Sequence, residues 1–140
     1  LPVETEPIGT AVVRTAGETA TLVAYGPMVP TAMKAAEAAA AEGWSLEVVD
    51  LRSLEPVDWD TVISSVTKTG RAVVVHEASL SYGPGAEVAA RIQEKAFYAL
   101  EAPVLRVTGA DTPYPPSLLE AQWLPSVDRI LDAVDASLGY

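Results

Sequence analysis

Residues 71–91, RAVVVHEASLSYGPGAEVAAR, contain the clearest strand-to-helix transition in the chain. Three consecutive valines open the stretch, and a run with helical spacing follows Gly83 and Gly85. An apolar run without polar alternation is typical of a strand that is covered on both faces, as in a parallel sheet. The stretch therefore predicts one strand–helix unit of an α/β fold, with His76 to Tyr82 as its connection.

The same succession of strands and helices continues on both sides of this unit. Strands are predicted at residues 10–14, 20–25, 45–51, 71–75 and 102–107, and helices at 28–43, 58–70, 83–100 and 126–138. The first two strands, separated by Ala16 and Gly17, are expected to form a hairpin. Asp58 and Ser126 are expected to cap their helices. Because strand–helix–strand crossovers are right-handed, we expect a three-layer α/β/α domain with a mainly parallel five-stranded sheet.

Composition restricts the possible functions. The chain has 140 residues, no cysteine, one histidine and a formal net charge of −10. Disulfides and thiolate chemistry are therefore excluded, and a zinc site, which needs several imidazole or thiolate ligands, is not expected. Nucleic-acid binding requires clustered cations and is not expected, nor is a membrane-spanning segment. A basic protein partner would suit this charge, although the charge also serves solubility.

The first residues, LPVETEPI, are rich in proline and glutamate and lack an initiator methionine. This composition is typical of an interdomain linker. We expect residues 1–8 to be a linker from a missing amino-terminal domain and residues 9–140 to form the folded domain. A processed terminus is the alternative.

His76 and Glu77 follow the predicted strand 71–75 at its carboxyl end, where open α/β sheets bind ligands. Adjacent residues of an extended chain point to opposite faces, so this pair is not expected to form a catalytic dyad. The GxSxG nucleophile motif is absent. We therefore expect His76 to be a hydrogen-bonded residue at an interface, with no catalytic role.

Gly83 and Gly85 open the following helix, whose free N–H groups could bind an anion. However, the dinucleotide fingerprint requires a third glycine where Val88 stands, and no Walker lysine is present. The alternative is that both glycines let the helix start lie close to a neighbouring backbone. The sequence leaves both possibilities open.

The loop DTPYPP, residues 111–116, is rigid because half of it is proline. Asp111 is expected to fix the turn through its side chain. The prolines would hold Tyr114 ready for contact with a partner, which makes this loop a second candidate for an interface.

Two segments together resemble a known family. They are VVDLRSLEPVDWDTVISSVTKTGRAVVVHEA (48–78) and YGPGAEVAARIQEKAFYALEAPVLRVTGADTPYP (82–115). The chain resembles the carboxyl-terminal, transketolase C-terminal-like domain of the beta subunit of thiamine diphosphate-dependent 2-oxo acid dehydrogenases. HEASL (76–80) and DTPYP (111–115) are most similar to the branched-chain, 2-oxoisovalerate members. The family commonly has two glycines and an aromatic residue where this chain has Tyr82 and Pro84.

The resemblance implies that catalysis takes place elsewhere in a larger assembly. In this family the alpha subunit binds the diphosphate of thiamine diphosphate and the magnesium ion, and the amino-terminal domain of the beta subunit supplies a catalytic histidine. The carboxyl-terminal domain makes the contacts of an α2β2 heterotetramer with the alpha subunit and the second beta subunit. His76, Glu77, Asp111 and Tyr114 are the candidates for such contacts here. No cofactor is expected in this domain, and the isolated domain should be inactive.

Some members of the family also dock the subunit-binding domain of the lipoyl acyltransferase core. An acid before an Ala-Pro pair and the terminal carboxylate then face basic residues of that small domain. Glu101 matches the first position, and Tyr140 would carry the second if the natural chain ends there. The alternative for Glu101 is a solvated acid that closes a helix.

Three alternatives remain at this point. The chain could belong to a pyruvate dehydrogenase beta subunit, to another transketolase-like enzyme, or to a free-standing module that binds a small anion at the helix starts after Gly26 and Gly83. A bacterial cytoplasm and a mitochondrial matrix are both compatible with the sequence.

Overall fold

The computed structural model describes residues 7–140, so most of the predicted linker 1–8 lies outside the described residues. The strands are β1 (Val12–Thr15), β2 (Ala20–Ala24), β3 (Leu46–Asp50), β4 (Ala72–Ser79) and β5 (Leu105–Gly109). The helices are α1 (Met28–Ala39), α2 (Trp59–Thr69), α3 (Pro84–Ala96), the short α4 (Glu120–Trp123) and α5 (Val127–Leu138). Within the described residues, none of the helices has both the length and the apolar composition needed to cross a membrane.

The five strands form one sheet in the order β1-β3-β2-β4-β5. Strand β2 pairs in parallel with β3 and β4, and β4 pairs in parallel with β5, whereas β1 is an antiparallel edge strand. The predicted three-layer α/β/α fold with a mainly parallel sheet is therefore confirmed.

The predicted hairpin between the first two strands is wrong, because β3 lies between β1 and β2. The segment that joins them crosses the amino end of β3, where the N–H groups of Glu18 and Thr19 both donate to the Ser45 carbonyl. Gly17 allows this crossing, since a Cβ there would lie 2.3 Å from the Leu46 carbonyl carbon. Because the segment between β1 and β2 is bonded to the residue before β3, the two strands lie on opposite sides of β3, and β1 pairs with β3 instead of β2.

The core has two halves, one on each face of the sheet. Val73 and Val75 face the layer of α1 and α5, while Val74 between them faces the layer of α2 and α3. All three valines are fully buried. The alternation of one strand between two apolar layers explains why its sequence is an unbroken apolar run.

The predicted helix starts are confirmed within one residue, whereas α1 and α3 each end four residues earlier than predicted. Asp58 accepts a hydrogen bond of 3.1 Å from the Thr61 N–H at the start of α2, and Ser126 accepts one of 3.2 Å from the Arg129 N–H at the start of α5. Gly70 ends α2 in the left-handed conformation, with φ of 70°. These caps satisfy backbone groups that a helix end leaves unpaired.

Strand β4 is longer than predicted. It continues to Ser79, which pairs with Gly109 of β5, so His76 and Glu77 lie inside the strand and do not follow it. The connection to α3 is correspondingly shorter than the predicted segment from His76 to Tyr82 and consists of residues 80–83.

Candidate functional site

His76 lies in the second half of β4 and is fully buried. Its Nε2 accepts a hydrogen bond of 3.1 Å from the Gly85 N–H, and its ring stacks on Tyr25 at a centroid distance of 5.9 Å. Within residues 7–140, Nδ1 is buried with no hydrogen-bond partner of normal geometry. Because Nε2 accepts a hydrogen bond from the Gly85 N–H, Nε2 carries no proton, so the imidazole is neutral and its own proton is on Nδ1.

The two glycines at the start of α3 make the contact with His76 possible. A Cβ at Gly85 would lie 2.0 Å from His76 Nε2, and a Cβ at Gly83 would lie 2.2 Å from the Ser79 carbonyl oxygen. The Ala86 N–H donates to the Gly83 carbonyl, so this N–H is used as well. Of the two possibilities that the sequence left open, the structure favours close backbone packing over an anion site.

The environment of His76 does not suit acid–base catalysis. Burial lowers its pKa, and the charge of Arg106 acts in the same direction, while the Ala78 backbone opposes the shift only in part. The side chain has no exposed surface through which a substrate could reach it. Its observed role is to hold the Gly83–Gly85 turn on the sheet, and a place at a subunit boundary stays a prediction.

Asp111 fixes a different loop from the one predicted. Its carboxylate accepts hydrogen bonds from the Ser81 N–H at 2.8 Å and from the Ser81 hydroxyl at 2.6 Å. These bonds lower the pKa of Asp111, with the hydroxyl contributing most. Arg106 reinforces the junction by donating to the Leu80 carbonyl at 2.7 Å. The loops after β4 and β5 are thereby joined into one surface.

Tyr114 lies beside this junction and is about half exposed. Its hydroxyl donates to Glu120, which raises the pKa of Tyr114 to about 12, and its ring packs edge-on against Trp123 at 4.9 Å. Burial raises the pKa of Tyr25, and the charge of Glu77 raises the pKa values of Tyr25 and Tyr114 further. We call His76, Glu77, Ser81, Asp111 and Tyr114 the carboxyl-edge cluster.

Glu101 lies at the opposite edge of the sheet. Its carboxylate accepts from the Arg71 guanidinium at 2.5 Å, and its N–H donates to the Gly70 carbonyl at 2.8 Å. The Glu101 side chain is 60% exposed, so the ion pair does not remove it from solvent. The residue thus combines a fixed backbone with an accessible carboxylate.

Two aromatic side chains stand next to Glu101 in the turn that follows α3. Tyr98 is fully exposed and Phe97 is more than half exposed, and both line a shallow groove that also includes Glu101 and Pro103. Exposed aromatic residues grouped with a charge are typical of binding hot spots. Together with Arg71 and Tyr140, these residues form what we call the amino-edge surface.

Tyr140 follows α5 and is exposed. The structure shows no direct contact between Tyr140 and Glu101, but Arg71 links their surroundings because its Nε donates to the Ser137 carbonyl in the last turn of α5 at 3.1 Å. The candidate residues therefore form two groups, one at each end of the parallel strands.

Sequence reasoning missed Arg71 and Ser81. Arg71 directly precedes β4, and Glu101 precedes β5, its parallel neighbour. Opposite charges before two adjacent parallel strands could have signalled this ion pair. Ser81 gave no such signal, because its contact with Asp111 depends on the shapes of two loops.

The described residues do not fit a thiamine diphosphate and magnesium site. No group of three or more histidine, aspartate or glutamate side chains suited to hold a metal is found in residues 7–140. The helix start after Gly83 has its N–H groups engaged, and after Gly26 the N–H groups of Met28 and Val29 donate to backbone carbonyls. The same contacts weaken the alternative of an anion-binding module.

The chain is similar to a known domain family and to beta subunits of dehydrogenases. A family model described as "Transketolase, C-terminal domain" matches residues 9–130. The chain is 56% identical over 133 residues to the 3-methyl-2-oxobutanoate dehydrogenase subunit beta of Mycobacterium tuberculosis, covering 94% of the chain and 38% of that protein. It is 61% identical over 124 residues to the pyruvate dehydrogenase E1 component subunit beta of Leifsonia xyli, covering 89% of the chain and 37% of that protein.

A solved structure shows the same fold. A split-gene transketolase, determined as an inactive beta4 tetramer, superposes with a TM-score of 0.81 at 29% identity and covers 99% of this chain and 44% of its own. The chain therefore spans less than half the length of the relatives that it matches.

Proposed function

Because this chain belongs to the transketolase C-terminal domain family, we propose that it is the assembly and partner-docking domain of the beta subunit of a 2-oxo acid dehydrogenase. Both curated relatives described above are beta subunits of such enzymes. The observation that carries the docking role is the amino-edge surface, where an exposed carboxylate stands beside two exposed aromatic rings.

For the parent enzyme we propose the thiamine diphosphate-dependent oxidative decarboxylation of a 2-oxo acid, with transfer of the acyl group to a lipoyl group. The names of the two relatives, both beta subunits of 2-oxo acid dehydrogenases, support this reaction. Thiamine diphosphate and magnesium would be bound by other parts of the assembly, since the residues described here do not fit them. We propose a branched-chain acid of the 2-oxoisovalerate type as substrate, supported by HEASL and DTPYP and by the Mycobacterium tuberculosis relative.

Pyruvate is the second candidate substrate, because the Leifsonia xyli relative is a pyruvate dehydrogenase subunit. The residues that contact the acid would lie outside this chain. A comparison of decarboxylation rates of the parent enzyme with 2-oxoisovalerate and with pyruvate separates the two. Faster turnover of pyruvate would contradict the branched-chain assignment.

We assign the members of the carboxyl-edge cluster that reach the surface to contacts with the alpha subunit and with a second beta subunit in an α2β2 heterotetramer, while the fully buried His76 supports them from inside the domain. Ser81 and Asp111 join two loops there, and Tyr114 is held by Glu120 and Trp123. A surface that is fixed before binding loses less entropy when a partner covers it.

The amino-edge surface would dock the subunit-binding domain of the lipoyl acyltransferase core. Glu101 would pair with a basic side chain of that domain, and Phe97, Tyr98 and Tyr140 would contribute apolar contact. A charge-assisted pair that loses its water on binding contributes a few kcal/mol. The net charge of −10 favours approach of a basic partner.

Isothermal titration of the purified chain with the subunit-binding domain tests this assignment. Glu101→Lys should weaken binding by at least about tenfold, because like charges would meet in the interface. Asp60→Lys is the matched control, since Asp60 is exposed and lies in the first turn of α2, at the end away from Gly70. Equal affinity of the Glu101→Lys and Asp60→Lys variants would contradict the docking role.

A carbon dioxide release assay tests the absence of catalysis in the domain itself. The purified chain with thiamine diphosphate, magnesium and 2-oxoisovalerate should release no more carbon dioxide than the buffer. Turnover by the chain alone would overturn the assignment of catalysis to other parts of the assembly.

A further inference from the structure

Arg71 contacts two separate elements of the amino-edge surface. Its Nη1 donates to Glu101 Oε2 at 2.5 Å, and its Nε donates to the Ser137 carbonyl in α5 at 3.1 Å. We propose that Arg71 is a positioning residue that holds the Glu101 carboxylate and the end of α5 in one fixed arrangement for a basic partner. The partner in this inference rests on the proposed docking function, whereas the clamp itself does not.

The burial of the ion pair is asymmetric. The Arg71 side chain is only 18% exposed, whereas the Glu101 side chain is 60% exposed. The guanidinium therefore lies beneath the carboxylate and leaves it open to solvent. Arg71 binds Glu101 Oε2, and no hydrogen bond or ion pair within residues 7–140 is shown for Oε1. That oxygen is positioned to accept a hydrogen bond from a cationic side chain of a partner.

Hydrogen bonds and close packing hold the strand and helix ends around Arg71. The Arg71 carbonyl accepts from the Thr21 N–H at 2.9 Å and from the Thr69 hydroxyl at 3.0 Å. The Glu101 side chain packs over Gly70, where a Cβ would lie 3.0 Å from Glu101 Cγ and Cδ. Both ends of the Arg71–Glu101 pair thus start from a fixed backbone, and the guanidinium removes the remaining freedom of the glutamate side chain.

Arg71 could affect a basic partner in two opposite ways. As a positive charge, it would repel the partner, and its removal would strengthen binding. As a clamp, it restricts a long side chain before binding, and its removal would weaken binding because the partner would have to order Glu101 itself. Water and salt screen the repulsion between Arg71 and a basic partner because the site is partly exposed, whereas salt does not remove the ordering of the Glu101 side chain. The ordering effect should therefore outweigh the repulsion, and removal of Arg71 should weaken binding.

Two measurements on the same variants test the inference. In titrations with the subunit-binding domain, Arg71→Met should weaken binding by about tenfold, and Arg71→Lys should also weaken it because one ammonium cannot reproduce the two-sided guanidinium contact. In hydrogen exchange of the free chain, the amides of residues 137–139 should exchange about fivefold faster in Arg71→Met, the factor for one lost hydrogen bond.

Arg91→Met is the control for charge, since it also removes one cation but leaves the Arg71–Glu101 pair intact. This variant should bind within about twofold of the wild-type chain. Equal or tighter binding of Arg71→Met than of the wild-type chain would overturn the positioning role.

The two proposals fail separately. If the wild-type chain does not bind the subunit-binding domain, the docking function is wrong, and hydrogen exchange still decides the clamp. Unchanged exchange at residues 137–139 in Arg71→Met would refute the clamp. A melting curve of each variant checks that the fold is retained, and Arg71→Lys decides the matter if Arg71→Met does not fold.

Discussion

Replacing Gly85 by alanine sets two physical effects against each other. Gly85 is the second residue of α3, and alanine in place of glycine in a helix usually stabilises it by about 1 kcal/mol. However, the new Cβ would lie 2.0 Å from His76 Nε2 and 2.4 Å from His76 Cδ2. The ring cannot move away easily, because it is fully buried and stacked on Tyr25.

The magnitude follows from these contacts. An extra methyl in a well-packed site costs about 2 kcal/mol, and displacement of α3 would also break the bond from the Gly85 N–H to His76, worth about 1 kcal/mol. After subtraction of the gain in helix propensity, Gly85→Ala should destabilise the chain by about 2 kcal/mol. For a domain of this size the melting temperature should fall by about 8 °C.

Thermal unfolding followed by circular dichroism measures this change. Gly139→Ala is the matched control, because its Cβ would meet only the Ala136 carbonyl oxygen, at an ordinary distance of 3.5 Å. Its φ of −82° suits alanine, so this variant should stay within about 0.5 kcal/mol of the wild-type chain.

A double-mutant cycle identifies His76 as the cause. In a His76→Ala background the ring that meets the new methyl is gone, so Gly85→Ala should cost at least about 1 kcal/mol less than in the wild-type background. An unchanged or higher melting temperature of Gly85→Ala alone would refute the reasoning.

Three further predictions concern stability. Because the pKa of His76 is lowered in the folded chain, the unfolded chain takes up a proton first as pH falls below the ordinary value of 6.5, so the free energy of unfolding should be highest above that pH and fall below it. In urea titrations between pH 7.5 and 6, His76→Gln should remove this dependence. A wild-type chain that gains stability as pH falls over this range would contradict the prediction. Tyr82 has a φ of 60° and is fully exposed, so Tyr82→Gly should raise the free energy of unfolding by up to about 1 kcal/mol, and a clear loss would contradict this. Lys68 pairs with the buried Glu47, so Lys68→Met should cost about 2 kcal/mol in denaturant unfolding while exposed Lys95→Met changes little; equal effects of the two would count against the pair.

The fold could be predicted wherever local pattern and burial agree. Val73–Val75 lie between two apolar layers, and burial on both faces requires a continuous apolar run that is visible in the sequence. Asp58 and Ser126 cap their helices through bonds to residues three positions away, which sequence spacing can represent. Such features need no knowledge of distant contacts.

The errors arose where distant contacts decide the outcome. The segment between β1 and β2 bonds to Ser45, which a hairpin pattern does not contain. Strand β4 extends to Ser79 because Gly109 pairs with it, although the residues from His76 onward are polar enough to suggest a loop.

In the candidate site, features set by local geometry could be predicted, whereas contacts between distant loops could not. The alternation of an extended chain places His76 and Glu77 on opposite faces, and the structure shows His76 against α3, while Glu77 acts on the pKa of Tyr114 in the loop after β5. The bond between Asp111 and Ser81 joins two loops and had no sequence signal. The contact between Arg71 and Glu101 became visible only from the strand order, which places β4 beside β5.

The central claim is that this domain binds partners through its edges and leaves catalysis to the rest of the assembly. Chemical-shift mapping of the labelled chain during addition of the unlabelled subunit-binding domain tests the claim most directly. Shifts should concentrate at Arg71, Phe97, Tyr98, Glu101 and Tyr140, with His76 and Asp111 unaffected. An unchanged spectrum, or shifts confined to the carboxyl-edge cluster, would contradict the account.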